Sequence, residues 1–404
     1  MVSDFPDWFY IWAPKGVIVL FLLAFGACVG SFLNVVIYRM PEGLSIVRPA
    51  SRCPKCNHHL RWFENLPILS WLALRGRCRS CSLPISSQYL LIELLVAVLF
   101  AGAYVIFFLA PPDTWWAGIG GEWWRFVGLS GGWPALLIVL TVLCGLLVAT
   151  VIDARTFLIP APITTAMTVI ALVAWLVQGV LPEPPMAAGL WPIPTVGWGL
   201  IGATLGGWLG VGIAWAGLRY GKIPRSFEDY EKYVPEGETL GDYPFARREM
   251  FKELLFLLPI IVGLVGGWFI AGACNCQSVP PRWLMGVSAG LFGWLVGGGL
   301  VWGVRLLGTF AFGKEAMGMG DVHLLAAIGA GLGWIDPIRV FFLAPFTALA
   351  WVALSRIVAM VRRSEGHELP YGPHLAAATV VVIFLRPLVE AFQEAIFTPL
   401  PAVY

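Results

Sequence analysis

The strongest constraint on this fold is a series of continuously apolar runs, each about 20 residues long, the length of a helix that crosses a bilayer. The runs lie near residues 16–38, 89–110, 135–152, 163–181, 195–218, 254–272, 283–307, 321–336, 339–361 and 370–388. Apolar residues make up 58% of the 404 residues and charged residues only 12%, so the expected solvent is lipid. Strands of a membrane β-barrel would alternate in polarity, which these runs do not. The sequence therefore predicts an all-α polytopic membrane protein with about ten transmembrane helices.

The distribution of positive charge predicts the orientation of these helices. Residues 1–38 are expected to hold the first transmembrane helix and 89–404 a polytopic membrane domain with a polar insert at about 219–253. The loop 39–88 between them is rich in Arg, and basic loops stay in the cytoplasm. The N-terminus is therefore predicted outside, and alternation also places 219–253 and the basic loop 356–368 inside. The net charge of +2 indicates no partner by itself. Membrane lipid is the expected partner because of the apolar runs, and no nucleic acid is expected.

The cytoplasmic loop 39–88 contains two Cys-x-x-Cys hooks, Cys53-Pro-Lys-Cys56 and Cys78-Arg-Ser-Cys81. Hooks separated by about twenty residues are typical of a four-thiolate zinc ribbon. Disulfides are the alternative, but they are disfavoured in a reducing compartment. Because four thiolates leave no open coordination position, a structural rather than a hydrolytic Zn²⁺ is predicted.

Two aspartates lie at the ends of apolar runs, where a carboxylate is costly to desolvate. Asp153 follows the third run and Asp321 opens the eighth, so parity places both on the cytoplasmic side. Alone, each acid would be interpreted as a helix cap. Together they can share one proton, as in aspartic proteases, where one carboxyl polarises a carbonyl and the other activates water. Gly318 and Gly320 would let a substrate backbone approach Asp321 closely.

Two other classes of protein compete with this interpretation. A proton- or cation-coupled transporter with a cytoplasmic zinc-ribbon domain would also carry intramembrane acids and glycine-rich helices. It has no need for a zinc ribbon, however, and would place its acids nearer to mid-bilayer. A non-catalytic scaffold would use the ribbon for docking and would tolerate the loss of Asp153 and Asp321.

Several motifs resemble those of the type IV prepilin peptidases, an intramembrane aspartic protease family of the Gly-x-Gly-Asp type, and the resemblance runs nearly end to end. They are Gly30-Ser-Phe-Leu-Asn-Val-Val-Ile-Tyr-Arg39, the two cysteine hooks, Glu64-Asn-Leu-Pro67, Ile152-Asp-Ala-Arg155, Leu158-Ile-Pro160, Gly313-Lys-Glu-Ala-Met-Gly-Met-Gly-Asp321 and Leu369-Pro-Tyr-Gly-Pro-His374. The resemblance implies that Asp153 and Asp321 form a catalytic dyad in the bacterial cytoplasmic (inner) membrane. The implied substrate is a type IV prepilin or a type II secretion pseudopilin, cut after the glycine that ends its basic leader. It also implies an S-adenosylmethionine-dependent N-methyltransferase activity, which rests on the resemblance alone.

Three departures from the family pattern are apparent. Ala161 stands where the family usually has a further Asp, which removes a secondary acid but leaves Asp153 in place. His323 stands where the family usually has Lys and is expected to support the active site, with a charge that depends on pH near neutrality. The region 219–282 adds a cytoplasmic insert and one helix pair, and an added pair keeps both aspartates on one side.

Overall fold

A computed structural model describes residues 6–53, 55–111, 114, 116, 119, 121–184, 195–229, 245–274, 278–362 and 371–397. Within these residues the chain forms twelve α-helices and no strand, only two isolated β-bridges. The helices are α1 Asp7–Arg39, α2 Leu69–Ala73, α3 Ser87–Tyr104, α4 Glu122–Thr156, α5 Ala161–Val180, α6 Trp198–Arg219, α7 Ala246–Ala273, α8 Arg282–Phe312, α9 Met319–Leu332, α10 Asp336–Arg362, α11 Gly372–Phe384 and α12 Arg386–Phe397. The predicted all-α class is confirmed.

Eight of the described helices are long and apolar enough to cross a membrane, or up to nine if the bent pair α11 and α12 counts as one span. The remaining predicted span, 321–336, forms α9, which has only 14 residues. At about 1.5 Å per residue it is shorter than the hydrocarbon core of about 30 Å. The helix pair α11 and α12 bends by 92° between its two members.

Helix α9 lies at the centre of the bundle. From Val322 to Leu332 each of its residues is buried except His323. It crosses α8 where Gly293 faces Gly329, and a Cβ on either glycine would overlap the backbone carbonyl of the other. Small residues let membrane helices approach to backbone contact, so this crossing holds α9 firmly.

Helix α4 differs from the predicted span 135–152 at both ends. It begins at Glu122 and bends at Gly128, whose φ of 64° is accessible to glycine at little cost. It ends at Thr156, and the following residue, Phe157, has a left-handed φ of 54°. The Phe157 N–H donates to the carbonyl of Asp153 at 2.9 Å and closes the last turn.

The two helices that flank the cysteine loop also pack through glycine. A Cβ at Gly26 would lie 2.9 Å from the Cα of Ala97, and one at Gly30 would lie 2.7 Å from the Cα of Glu93. Helices α1 and α3 therefore meet at backbone distance. We call residues 40–86, which they anchor, the cysteine ribbon.

Of the helix pair predicted for region 219–282, the structure has one helix there, α7, which packs as a hairpin against the preceding α6. The two helices touch where a Cβ at Gly206 would overlap the carbonyl of Gly263. Helix α7 begins at Ala246, so the end of the predicted insert is helical. The rest of that insert lies partly outside the described residues. Only a small part of the apolar stretch of α7 is buried, so the hairpin lies at the edge of the bundle.

Candidate active site

Asp153 lies in the last turn of α4 and is only 5% exposed. Its carboxylate accepts a hydrogen bond from the backbone N–H of Gly372, the first residue of α11. A Cβ at Gly372 would lie 2.5 Å from Oδ2 of Asp153, so the position has no room for a side chain. The N-terminus of α11 thus directs at this carboxylate an N–H group that has no acceptor within the helix, together with the positive end of the helix dipole.

Asp321 lies in the first turn of α9 and is half-buried. The backbone N–H of Gly318 donates to its carboxylate, and this carboxylate is near enough to that of Asp153 for the two to interact electrostatically. A Cβ at Gly318 would lie 3.6 Å from Oδ2 of Asp321. The structure therefore brings Asp153 together with Gly318 and Asp321 at one end of the bundle, although Asp153 lies far from the other two in the chain.

Ile159, in the loop between α4 and α5, packs against the two motifs that surround the aspartates. A Cβ at Gly320 would lie 3.0 Å from Cβ of Ile159, and a Cβ at Gly372 would lie 3.2 Å from its Cδ1. Gly320 is therefore required for close packing of α9 on this loop. No role was predicted for Ile159 itself, because an apolar residue in a loop gives no chemical signal.

Tyr371 precedes α11 and interacts electrostatically with Asp321. Burial and the neighbouring carboxylate raise the pKa of Tyr371 to about 12, so its phenol stays protonated near neutral pH. Neither Tyr371 nor Gly372 was among the candidate residues. The motif 369–374 that contains them was the only available signal, and its spacing alone indicates no chemistry.

His323 is exposed on α9. Two residues along a helix correspond to about 200° of rotation, so His323 leaves the helix on a different side from Asp321. The predicted role of His323 in supporting the active site is therefore not backed by a contact with Asp321, and it stays a prediction.

The four cysteines of the ribbon form a compact cluster that could hold a metal ion. Their Sγ atoms all lie within 4.8 Å of one another, with Cys53 and Cys81 4.0 Å apart and Cys56 and Cys78 also 4.0 Å apart. Sulfur atoms that surround zinc tetrahedrally at about 2.3 Å lie about 3.8 Å from one another. The cluster therefore fits one tetrahedral ion without a large change of position.

The two hooks have the same backbone geometry. In the first, the N–H of Asn57 donates to the carbonyl of Cys53, and in the second the N–H of Ser82 donates to the carbonyl of Cys78, both at 2.9 Å. Asn57 and Ser82 both have a left-handed φ, of 57° and 56°. Hydrogen bonds from the backbone of Cys81 and Ser80 lower the pKa of the Cys78 thiol, which favours the thiolate that a metal ion needs.

A buried glutamate, Glu64, interacts with residues in or beside the two hooks. Its Oε2 accepts the backbone N–H of Arg61 at 2.8 Å and lies 3.4 Å from Nε2 of His58, while Oε1 lies 4.0 Å from Nε of Arg79. These interactions, led by the Arg61 N–H, lower the pKa of Glu64. The charged carboxylate therefore interacts with Arg79 of the second hook and with His58, which follows the first hook.

A second glutamate joins the ribbon to the membrane helices. Glu93, inside α3, accepts the backbone N–H of Ile68 at 2.7 Å. At the same end of the bundle, Arg155 at the end of α4 donates to the side chain of Gln88 in α3. The ribbon is thus held at the end of the bundle that carries Asp153.

These features define a multi-pass membrane protein with a pair of neighbouring carboxylates and a four-cysteine cluster at one end of its helices. Residues 24–107 match the family described as Bacterial Peptidase A24 N-terminal domain. A prepilin leader peptidase/N-methyltransferase of Myxococcus xanthus is 58% identical over 98 residues, which span 24% of this chain and 28% of that protein.

Longer matches cover nearly the whole chain. A prepilin leader peptidase/N-methyltransferase of Aeromonas hydrophila is 27% identical over 88% of this chain and 86% of its own. A type 4 prepilin-like proteins leader peptide-processing enzyme of Escherichia coli is 25% identical over 90% of this chain and 92% of its own. No solved structure matches the chain significantly. The resemblance to the type IV prepilin peptidase family is therefore confirmed.

Proposed function

We propose that this protein is an intramembrane aspartic endopeptidase that removes the leader peptide of type IV prepilins or type II secretion pseudopilins. The observation that carries the proposal is the convergence of Asp153 and Asp321 beside the N-termini of α9 and α11. The names of the relatives add the substrate class. None of these relatives is a transporter, so the alternative of a coupled transporter receives no support.

The proposed reaction needs one proton shared between the two carboxyl groups. The ionised carboxylate removes a proton from water as the water oxygen bonds to the scissile carbonyl carbon, and the protonated carboxyl donates to the carbonyl oxygen. The C–N bond then breaks: the leaving nitrogen takes a proton from one carboxyl group, and a hydroxyl of the tetrahedral intermediate returns a proton to the other, so the pair again shares one proton. Backbone N–H groups of Gly318 and Gly372 orient the two carboxyl groups, and the phenol of Tyr371 supplies a neutral donor beside Asp321.

The proposed location is the bacterial inner membrane, with the N-terminus outside and both aspartates on the cytoplasmic side. The basic loop 39–88 supports this orientation, because the ribbon lies at the same end of the bundle as Asp153. A leader that carries positive charge stays on the cytoplasmic side for the same electrostatic reason.

The ion proposed for the cluster is Zn²⁺, held by Cys53, Cys56, Cys78 and Cys81. All four thiolates would be ligands, so the ion would stabilise the ribbon and take no part in peptide hydrolysis. The distances between the sulfur atoms support four cysteine ligands around one ion.

N-methylation of the new N-terminus with S-adenosylmethionine is proposed from the names of the relatives. We assign no residue to it. A cavity of about 720 Å³ is lined by Glu183, Trp198 and Arg282, but it lies at the end of the helices opposite to the ribbon and the aspartates. It does not fit a transferase that acts on the newly cut end.

The test is cleavage by purified protein reconstituted in liposomes. The substrate is a synthetic peptide with a basic leader that ends in glycine, followed by an apolar pilin-like segment, and mass spectrometry locates the cut. We expect one cut after the glycine. A second sample that contains S-adenosylmethionine should yield the same fragment with one added methyl group. An intact peptide, or cuts spread along it, would contradict the proposed function.

A further inference from the structure

Arg305 lies in the membrane helix α8 and is only 4% exposed. Burying a cation in a membrane helix costs desolvation free energy, so the cation needs partners that offset this cost. Its guanidinium has contacts on two sides: one with the α6–α7 hairpin and one with loop 313–318, which precedes Asp321.

On the hairpin side, Arg305 contacts Glu253 of α7. Nη2 of Arg305 lies 3.0 Å from Oε1 of Glu253, and Nε lies 3.3 Å from Oε2. Trp302 adds a third donor, with its Nε1 2.7 Å from the same Oε2. Glu253 is buried as well, so this fork of two nearly parallel bonds is shielded from solvent and fixes the plane of the guanidinium.

On the loop side, Nη1 of Arg305 donates to the carbonyl of Met317 at 2.7 Å and pairs with the carboxylate of Glu315. The Met317 carbonyl and the Gly318 N–H belong to the same planar peptide group and point in opposite directions. That N–H is the group that donates to the Asp321 carboxylate. Arg305 and Asp321 therefore hold the two ends of one peptide group.

We propose that Arg305 is a positioning residue, which orients the Met317–Gly318 peptide so that its N–H binds Asp321, and that Glu253 of the α6–α7 hairpin holds Arg305 for this task. The inference rests on the proposed function. It also gives the α6–α7 hairpin a role, because α7 reaches the active site through Glu253. A cation on the carbonyl also strengthens the N–H at the other end as a donor.

The test compares Arg305→Met, Arg305→Lys and Glu253→Gln with the wild type in leader cleavage by the full-length reconstituted protein. A misplaced catalytic group lowers the turnover rate and leaves binding of the long peptide intact. We expect kcat of Arg305→Met to fall about 100-fold with KM within about twofold. Arg305→Lys should recover part of the loss, because Lys keeps the charge but not the fork. Glu253→Gln keeps the pair of Arg305 with Glu315 and should lower kcat less than Arg305→Met.

A second readout does not depend on activity. Lys314 is exposed in loop 313–318, so trypsin can report how firmly the loop is held. In detergent, Arg305→Met should be cut after Lys314 about tenfold faster than the wild type. The Lys314→Gln variant identifies this cut by losing it. Arg282→Met is the matched control, because it breaks the Arg282–Glu183 pair at the other end of the helices and should leave the Lys314 cut and kcat unchanged.

The two readouts separate the inference from the proposed function. If the wild type cuts the leader and folded Arg305→Met has unchanged kcat and an unchanged Lys314 cut, the inference is overturned and the proposed function stands. If the wild type does not cut any leader, the proposed function fails and the catalytic part of the inference fails with it. Faster cutting at Lys314 in Arg305→Met would then still support the role of Arg305 in holding the loop.

Discussion

The cysteine ribbon and the helix bundle both hold polar groups in fixed positions, but they do so by different means. The ribbon has little apolar interior, and Trp62 is 78% exposed. It relies on four cysteines and on the carboxylates of Glu64 and Glu93. The bundle holds Asp153 and Asp321 by the close packing of buried helices, at crossings where glycine brings backbones into contact.

The difference concerns the distance along the chain over which each site is assembled. In the ribbon, each hook is a local turn, and two copies of the same turn complete the cluster. In the bundle, the site joins the end of α4, the start of α9 and the start of α11. A change at the cysteines should therefore act through the metal ion that we propose for the ribbon, whereas a change in the bundle should act through helix packing.

The largest expected effect is that of removing the metal ion. Structural zinc contributes on the order of 10 kcal/mol to folding in small domains. We expect the backbone amides of Asn57 and Ser82 to lose their protection from hydrogen exchange after chelation, while amides of α9 keep theirs. Cys56→Ser should have the same effect, and Cys28→Ser, an exposed cysteine of α1, should have none. If the ribbon amides stay protected from hydrogen exchange after the metal is removed, the ribbon does not depend on a metal ion and does not differ from the bundle in this way.

The second-largest effect is expected at the crossing of α8 and α9. In Gly329→Ala, the new methyl group would overlap the carbonyl of Gly293, and overpacking of this kind costs about 3 kcal/mol. Its midpoint of unfolding should fall, while the zinc content stays the same. Gly299→Ala in α8 is the matched control, since a Cβ there meets no atom within 4 Å. Equal stability of the two variants would show that the bundle is not held by this contact.

A smaller change concerns activity rather than stability. In Gly372→Ala, the added Cβ would press on Oδ2 of Asp153 and displace the carboxylate, and a shift of about 1 Å can reduce turnover about 100-fold. Steady-state cleavage of the leader peptide measures this loss. Gly303→Ala in α8, where the space is open, serves as the control and should cut at the wild-type rate. Full activity of Gly372→Ala would mean that Asp153 does not need its present position.

The smallest expected effect is at the junction of the two regions. Glu93→Leu leaves the Ile68 N–H without its acceptor, which costs about 2 kcal/mol. The loss of this hydrogen bond should appear as faster hydrogen exchange of the Ile68 amide. Glu93→Gln keeps an acceptor oxygen and should change the exchange rate much less. Glu42→Leu is the control, since Glu42 is exposed in the same loop. If Glu93→Leu leaves this amide as protected as before, Glu93 does not join the ribbon to the bundle.

The sequence predicted the features that depend on local spacing. The apolar runs identified the helices, and the two hooks identified the cysteine cluster, because three residues of separation bring two sulfur atoms together in one turn. It also predicted that Asp153 and Asp321 lie on one side, since parity of the spans determines this. The aspartate pair as a catalytic dyad stays a prediction.

The remaining features depend on contacts between distant segments. Length and hydropathy do not distinguish a short central helix such as α9 from a full span. The contacts of Gly372 with Asp153 and of Arg305 with Met317 join residues that no periodicity relates. Helix α4 shows another limit: it begins at Glu122, before the predicted span 135–152, and includes a bend at Gly128 that the apolar pattern did not reveal.

The most direct test of the dyad compares Asp153→Asn, Asp321→Asn and the double variant in the reconstituted cleavage assay. Asn keeps the shape of Asp but cannot share a proton, so each single variant should cut the leader at least about 1000-fold more slowly. The double variant should be no slower than either single one, because the two groups act as a unit. Zinc content and helix content should match the wild type. Cleavage at the wild-type rate by either single variant would contradict the account.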